Sequence, residues 1–178
     1  MKVLETKRMI LRPWKIDDLD DFYEYAKDAN VGPNAGWEPH ANKDVSMMIL
    51  KSFIEKDEVR AILLKENGKV IGSVGVHSDE KRKGVKAKMI GYVLSKDYWG
   101  KGLMSEAVKE VLRYLFEEEK YDVISCYHYP FNIQSKRVIE KCGFNYEGTL
   151  RLSSQIYNGS VYDDVCYSIT KTDYFMKV

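Results

Sequence analysis

Few cysteines, no extended apolar run and almost no net charge exclude several classes of protein before any motif is considered. The 178 residues include three cysteines, Cys126, Cys142 and Cys166, too few and too scattered for a zinc site or a disulfide framework. Each stands among apolar residues, so free, buried thiols in a reducing compartment are expected. No segment approaches the ~18 apolar residues of a membrane span, and the first residues show a strand-like pattern where a signal peptide would have an apolar core. A cytoplasmic location without membrane contact is the expectation, and no metal is expected. Basic and acidic residues number 28 and 27, a formal charge of +1, and no basic tail is present. That balance argues against direct nucleic-acid binding by bulk electrostatics. The basic run Lys81-Arg82-Lys83, with Lys86 and Lys88, reads as a solvated loop or as a phosphate contact.

What is there is an ordinary globular composition, 44% hydrophobic and 31% charged, at a length that fits one domain over residues 1–178. No repeat, linker or low-complexity stretch interrupts it. Met9 to Trp14 reads as a strand ended by Pro13. A helix follows from about Asp17 to Ala29, with Leu19, Phe22, Tyr23 and Ala26 on one face. Its remaining acids, Asp20, Asp21, Glu24 and Asp28, form a solvated face or help to attract a cationic substrate. A loop from Val31 to Asn42 carries Trp37, Glu38 and His40, and a second helix runs from about Asp44 to Lys56. Val59–Lys65 and Val70–Val76 form a hairpin across Asn67-Gly68. Met89 to Leu94 is a further strand, and Met104 to Phe116 repeats apolar residues at helical spacing. Val123 to Tyr127, Phe144 to Leu150 and a last hairpin from about Ser154 to Ile169, turning at Asn158-Gly159, complete the order. Such a mixture predicts an α+β fold with an antiparallel first half and one parallel crossover.

Two segments carry chemistry. Tyr98-Trp99-Gly100-Lys101-Gly102-Leu103-Met104-Ser105 lies between a strand and a long helix. Two glycines one residue apart allow a sharp turn, and the helix start offers unpaired N–H groups and a positive dipole end. Glycines before a helix also serve as plain turn residues. The loop lacks the Gly-Lys-Ser/Thr ending of a nucleotide triphosphate site and the third glycine of a dinucleotide fingerprint. About thirty residues later, Asn132-Ile133-Gln134-Ser135 opens a short helix and Lys141-Cys142-Gly143-Phe144 closes it. Asn132 fits an N-cap and Gly143 a left-handed C′ residue, with Phe144 able to pack on Ile139.

In this order and spacing the two segments resemble the GNAT acetyltransferase superfamily, and the resemblance covers most of the chain. Ile10-Leu11-Arg12-Pro13-Trp14, Gly36-Trp37-Glu38-Pro39-His40, the Asn-x-x-Ser start and Glu147-Gly148-Thr149-Leu150-Arg151 look like the branch containing the ribosomal-protein alanine N-acetyltransferases. The resemblance implies a mostly antiparallel central sheet flanked by helices, with a splayed parallel strand pair forming a coenzyme A cleft. It implies acetyl-CoA as cosubstrate, with pantetheine pairing against the backbone of Val93 and Leu94. The pyrophosphate would meet Gly100, Lys101, Gly102, Leu103, Met104 and Ser105, and Asn132 would join the cofactor-binding set. Trp99 stands where many relatives have Arg or Gln, and Met104 where Gly or Ala is usual. Met104 is tolerable if its side chain points into the core.

The same resemblance implies an acyltransferase acting on a primary amine, favouring a protein N-terminus. Two alternatives remain: a small-amine enzyme acting on a polyamine, amino acid or antibiotic, and a non-catalytic CoA-binding module. Many relatives donate a proton from a tyrosine four residues before the glycine of the Asn helix, which here is Ile139. Ser135 is the replacement, or only a first-turn residue. The acid that often precedes Ile-Gly-Tyr is here Met89, which leaves Glu38, or His40, as the base. Tyr92, Trp37 and Trp14 read as core or pocket walls.

Overall fold

In the computed structural model residues 1–177 are described. Among them the strands are β1 Leu4–Glu5, β2 Met9–Pro13, β3 Val59–Leu64, β4 Val70–Ser78, β5 Ala87–Leu94, β6 Val123–His128, β7 Asn145–Gln155 and β8 Val161–Thr170. The α-helices are α1 Leu19–Ala26, α2 Lys43–Lys56, α3 Leu103–Arg113, α4 Ile133–Lys141 and α5 Lys171–Lys177. The strands form a sheet in the order β1-β2-β3-β4-β5-β6-β8-β7. The β1–β2, β2–β3 and β3–β4 pairs are antiparallel, and so are the β6–β8 and β7–β8 pairs. β5 and β6 run parallel, Ala87 to Met89 against Val123 to Ser125. The mixed fold with one parallel pair is the one expected.

The chain divides into two compact units, one of residues 1–75 and 92–107, the other of residues 76–91 and from 108 onward. Strands β4 and β5 and helix α3 each pass from one unit into the other.

In the first unit Trp14 meets Phe22 and Phe53 at ring separations of 5.1 and 5.9 Å. Leu50, Ala61, Val70 and Val31 join the same buried cluster. Arg12 clamps the half-turn before α1 by donating to both oxygens of Asp18, at 2.8 and 2.7 Å. Helix α1 stops at Ala26, short of the expected Ala29. The Asp28 carboxylate accepts from the Asn30 N–H at 2.7 Å, and that local turn competes with continued helix.

In the second unit the C-terminal half of α3 buries Val108, Val111 and Leu112. It then widens into a π-turn over Tyr114–Glu118, where regular helix was expected. Glu119 N–H donates back five residues to Tyr114 at 3.0 Å. The added residue lets Arg113 reach Glu118 as well as Glu110, at 2.9 and 2.7 Å. Strand β7 is continuous where two separate strands were expected. The interruption is a bulge between Leu150 and Ser154: Leu152 takes a φ of 51° and donates its N–H to the Asp163 side chain at 2.8 Å, so pairing resumes beyond it.

Helix α4 ends as its glycine implied. Gly143 has a φ of 85°, its N–H donates to Glu140, and Phe144 N–H donates to Ile139. Ile139 and Phe144 are both buried, the hydrophobic clasp of a Schellman end.

Candidate active site

The glycine loop lies wholly in the first unit. Gly100 and Gly102 hold φ values of 75° and 72°, a region that side chains with a Cβ seldom occupy. Leu103 and Met104 are buried, so both side chains turn inward, the condition under which methionine is tolerable there. Gly102 accepts from Glu106 N–H at 3.1 Å, the first α-helical bond of α3. The amides preceding it belong to a first turn that a helix cannot satisfy from within. Glycines in left-handed geometry and inward side chains at a helix start fit a pyrophosphate held by backbone.

Arg8 fixes that loop. Its backbone N–H and Nε donate to the two carboxylate oxygens of Glu106, at 3.0 and 2.7 Å, and Nη1 donates to the Lys101 carbonyl at 3.0 Å. Burial pushes the Glu106 carboxyl upward, but hydrogen bonds from Thr6 and Arg8 outweigh it, and the net shift is below the ordinary value. Sequence reasoning missed Arg8, because nothing in Thr6-Lys7-Arg8-Met9 marks which of two basic residues turns toward a loop about ninety positions away.

Val93 and Leu94 end β5. A Cβ added at Gly72 of β4 would come within 2.3 Å of the Val93 carbonyl oxygen, so the close approach of the strands there needs a glycine. The Leu94 carbonyl accepts the Trp99 indole N–H at 2.8 Å, and Ser95 N–H donates to Ile71 at 2.8 Å. Trp99 thus folds the loop back onto the strand end. Spacing places Trp99 in the loop but does not reveal this hydrogen bond.

Of the base candidates, Glu38 is exposed while His40 is buried against Phe22 and Trp37, at ring separations of 5.3 and 5.2 Å. His40 Nδ1 lies 2.7 Å from the Ser46 hydroxyl, and burial pushes the imidazole below its ordinary value. His40 is a core residue in this arrangement, and Glu38 alone of the pair faces solvent.

Asn132 and Ser135 lie in the second unit. The Asn132 carbonyl oxygen accepts the Ser135 backbone N–H at 2.9 Å, the N-cap expected of it. Both residues are half-buried.

The basic run is not simply solvated. Arg82 donates to Asp79 at 3.0 Å, to Ser125 at 2.7 Å and to both oxygens of Glu147 at 2.6 and 2.5 Å. Ser125 and Tyr127 also donate to Asp79, at 2.6 and 2.9 Å. Burial raises the Asp79 carboxyl, yet these donors hold it below the ordinary range. Burial, opposed by Ser125 and aided by Asp79, pushes Tyr127 up to about 12. Among the described residues no cluster of His, Cys, Asp or Glu could hold a metal ion, and no helix is long and apolar enough to cross a membrane.

Residues 8–145 match the family model for an acetyltransferase (GNAT) domain. The uncharacterized N-acetyltransferase p20 of Bacillus licheniformis is 30% identical over 179 aligned positions, spanning 98% of this chain and 99% of that protein. A GNAT-family acetyltransferase from Bacillus anthracis superposes with a TM-score of 0.85 at 24% identity, covering 96% and 99% of the two chains. The ribosomal-protein-S5-alanine acetyltransferase of Vibrio fischeri gives 0.76 at 24% identity, over 98% and 99%.

Proposed function

Because the chain belongs to the GNAT acetyltransferase family, we propose that it acts as a single domain moving the acetyl group of acetyl-CoA to a primary amine, with a protein N-terminus as the favoured acceptor. The observation that carries the finer reading is the capped start of α4: Asn132 holds the Ser135 amide and Ile139 is buried in the tyrosine's usual place. This is the Asn-x-x-Ser arrangement of the ribosomal-protein branch. The superposition on an enzyme whose name gives it an alanine of ribosomal protein S5 as substrate supports the same choice.

Amine acetylation needs a neutral nitrogen, stabilisation of the oxyanion and a proton for the departing thiolate. In this reading the backbone of Gly100–Ser105 holds the pyrophosphate and that of Val93 and Leu94 the pantetheine arm. Pairing there would share or displace the Trp99 indole at the Leu94 carbonyl. Asn132 shapes the helix start that presents Ser135, Ser135 supplies the thiolate's proton, and exposed Glu38 accepts the amine's proton directly or through water.

Steady-state release of CoA with a panel of acceptors tests the reading. Short peptides with a free small N-terminal residue should give the highest kcat/KM, rising with pH through neutrality, and Glu38→Gln should depress it without weakening acetyl-CoA binding. Faster reaction of polyamines or of N-terminally blocked peptides bearing an internal lysine would replace the protein-N-terminus assignment with a small-amine or lysine one. No turnover with tight CoA binding would favour the non-catalytic module, which Met89 in the usual acid's position keeps open.

A further inference from the structure

One face of the β6–β8 pair in the second unit gathers groups suited to a cation. The register pairs Tyr127 with Cys166 and His128 with Val165, and continued by one step it brings Tyr129 opposite Asp164. Side chains two apart on a strand share a face, so Tyr127 of β6 lies on the same side as Tyr162 and Asp164 of β8, and Tyr129, just past the end of β6, meets Tyr162 at a ring separation of 6.0 Å. Asp164 is a carboxylate with only 9% of its side chain exposed. One of its oxygens accepts the Ser154 hydroxyl at 2.8 Å. The other is met by the Lys81 ammonium at 3.3 Å, longer than the usual 2.7–2.9 Å or so of a charge-assisted bond.

The same Lys81 nitrogen stands 4.1 Å from the centre of the Tyr127 ring, well within cation–π range. The ring cannot swing away freely, because its hydroxyl donates to Asp79. Lys81, by contrast, is a third exposed and sits on the loop joining β4 to β5. A fixed aromatic face and a buried carboxylate are therefore occupied by a long, partly exposed, loosely bonded ammonium of the chain itself. Beside them Tyr162 packs edge-on against Phe131 at 4.9 Å, and Phe131 is 44% exposed. That leaves an apolar shelf next to the cation position.

We propose that Asp164 and the Tyr127 ring form the recognition site for the acceptor's primary ammonium, and that Lys81 fills this site in the free protein and is displaced by the acceptor. The inference rests on the acetyltransferase reading and adds to it where the amine is captured before it loses its proton. The shelf of Tyr129, Phe131 and Tyr162 then carries the apolar part of the acceptor adjoining its ammonium.

The two partners predict opposite effects, which separates recognition from simple damage to the fold. Lys81→Met removes the internal competitor and should lower the acceptor KM about three- to tenfold. Asp164→Asn, near in shape, should raise it about tenfold or more, the loss of one charged hydrogen bond. KM for acetyl-CoA should not move in either. Calorimetry with n-butylammonium chloride, and n-butanol as the uncharged control, reads the site without turnover. The cation should bind Lys81→Met more tightly than wild type and Asp164→Asn hardly at all, and butanol should bind none of them. Turnover that persists with acceptor KM within twofold of wild type in both variants overturns the site while sparing the enzyme reading. If no amine is acetylated, the enzyme reading fails alone when butylammonium keeps the predicted order, and the site fails too when it binds all three proteins equally or none.

Discussion

Replacing Ser135 with alanine removes a hydroxyl but leaves the cap of α4 in place, because Asn132 accepts from the backbone N–H of residue 135 and not from its side chain. Ser135→Ala should therefore keep that cap while kcat falls roughly 10²-fold, the usual scale for loss of a general acid. Asn132→Ala should lose about 1 kcal/mol of stability with its cap. Unchanged kcat in Ser135→Ala with a good acceptor would leave the serine a first-turn residue only. At this scale the sequence was legible where a role depends on near neighbours. Asn132, Gly143 and Phe144 act within a dozen positions of one another, and their helix ends followed from spacing. Arg8 and Asp164 were not legible, since each acts on a segment 93 and 83 positions away that only the folded sheet brings near.

At the scale of the element, the segment from β5 through the glycine loop into α3 depends on two glycines for different reasons. Gly102 has room, since an added Cβ would find only the Arg8 guanidinium, 3.8 Å away, but it sits at a φ of 72°. Gly102→Val should weaken acetyl-CoA binding tenfold or more, about 1.4 kcal/mol, by pulling the loop out of its left-handed turn. Gly68→Val is the control, with a φ of 71° and open space around it, and should leave CoA affinity alone. Calorimetry giving the two variants equal affinities would remove the loop from the binding site. Gly72→Ala faces the opposite problem, a collision with the Val93 carbonyl. It should cost about 1–3 kcal/mol of stability by overpacking, read as a lower midpoint in urea. Alternation and turn residues predicted the hairpins well. The π-turn after α3 leaves the helical repeat of apolar residues unbroken, and the Leu152 N–H that interrupts β7 pairs with the Asp163 side chain, a partner that spacing does not reveal.

At the scale of the whole molecule, acid should destabilise the protein in two stages. Burial holds His40 below its ordinary 6.5 in the folded chain, so below about pH 6.5 the unfolded chain binds more protons and stability declines. The decline levels off once the folded imidazole also protonates. Asp79, Glu106 and Glu147 are held below their ordinary 3.8 and 4.5. Their stabilisation is complete above about pH 4.5 and is lost as the pH falls through their lowered folded values. Urea midpoints at pH 7.5, 5.5 and 3.5 should fall at each step, and His40→Gln should erase the first. A wild-type midpoint flat from pH 7.5 to 5.5 would show that His40 is not held neutral. Fold class and the single parallel pair were readable at this scale, whereas the place of β8 between β6 and β7 was not. The division into units was not, because no linker or change in composition marks it.

That division bears on how the chain is made. The first unit draws on residues 92–107 as well as 1–75, so on a translating ribosome its opening strands and helices emerge well before their last partners. At ~5–20 residues per second, the wait between residues 75 and 107 lasts seconds, far longer than a hairpin or helix takes to form. During it the apolar face of Trp14, Phe22 and Leu50 has no glycine loop or strand end to close over it. Nascent chains stalled short of residue 107 should be the form that chaperones capture, and severing the gene between the units cannot yield two contiguous, self-sufficient halves.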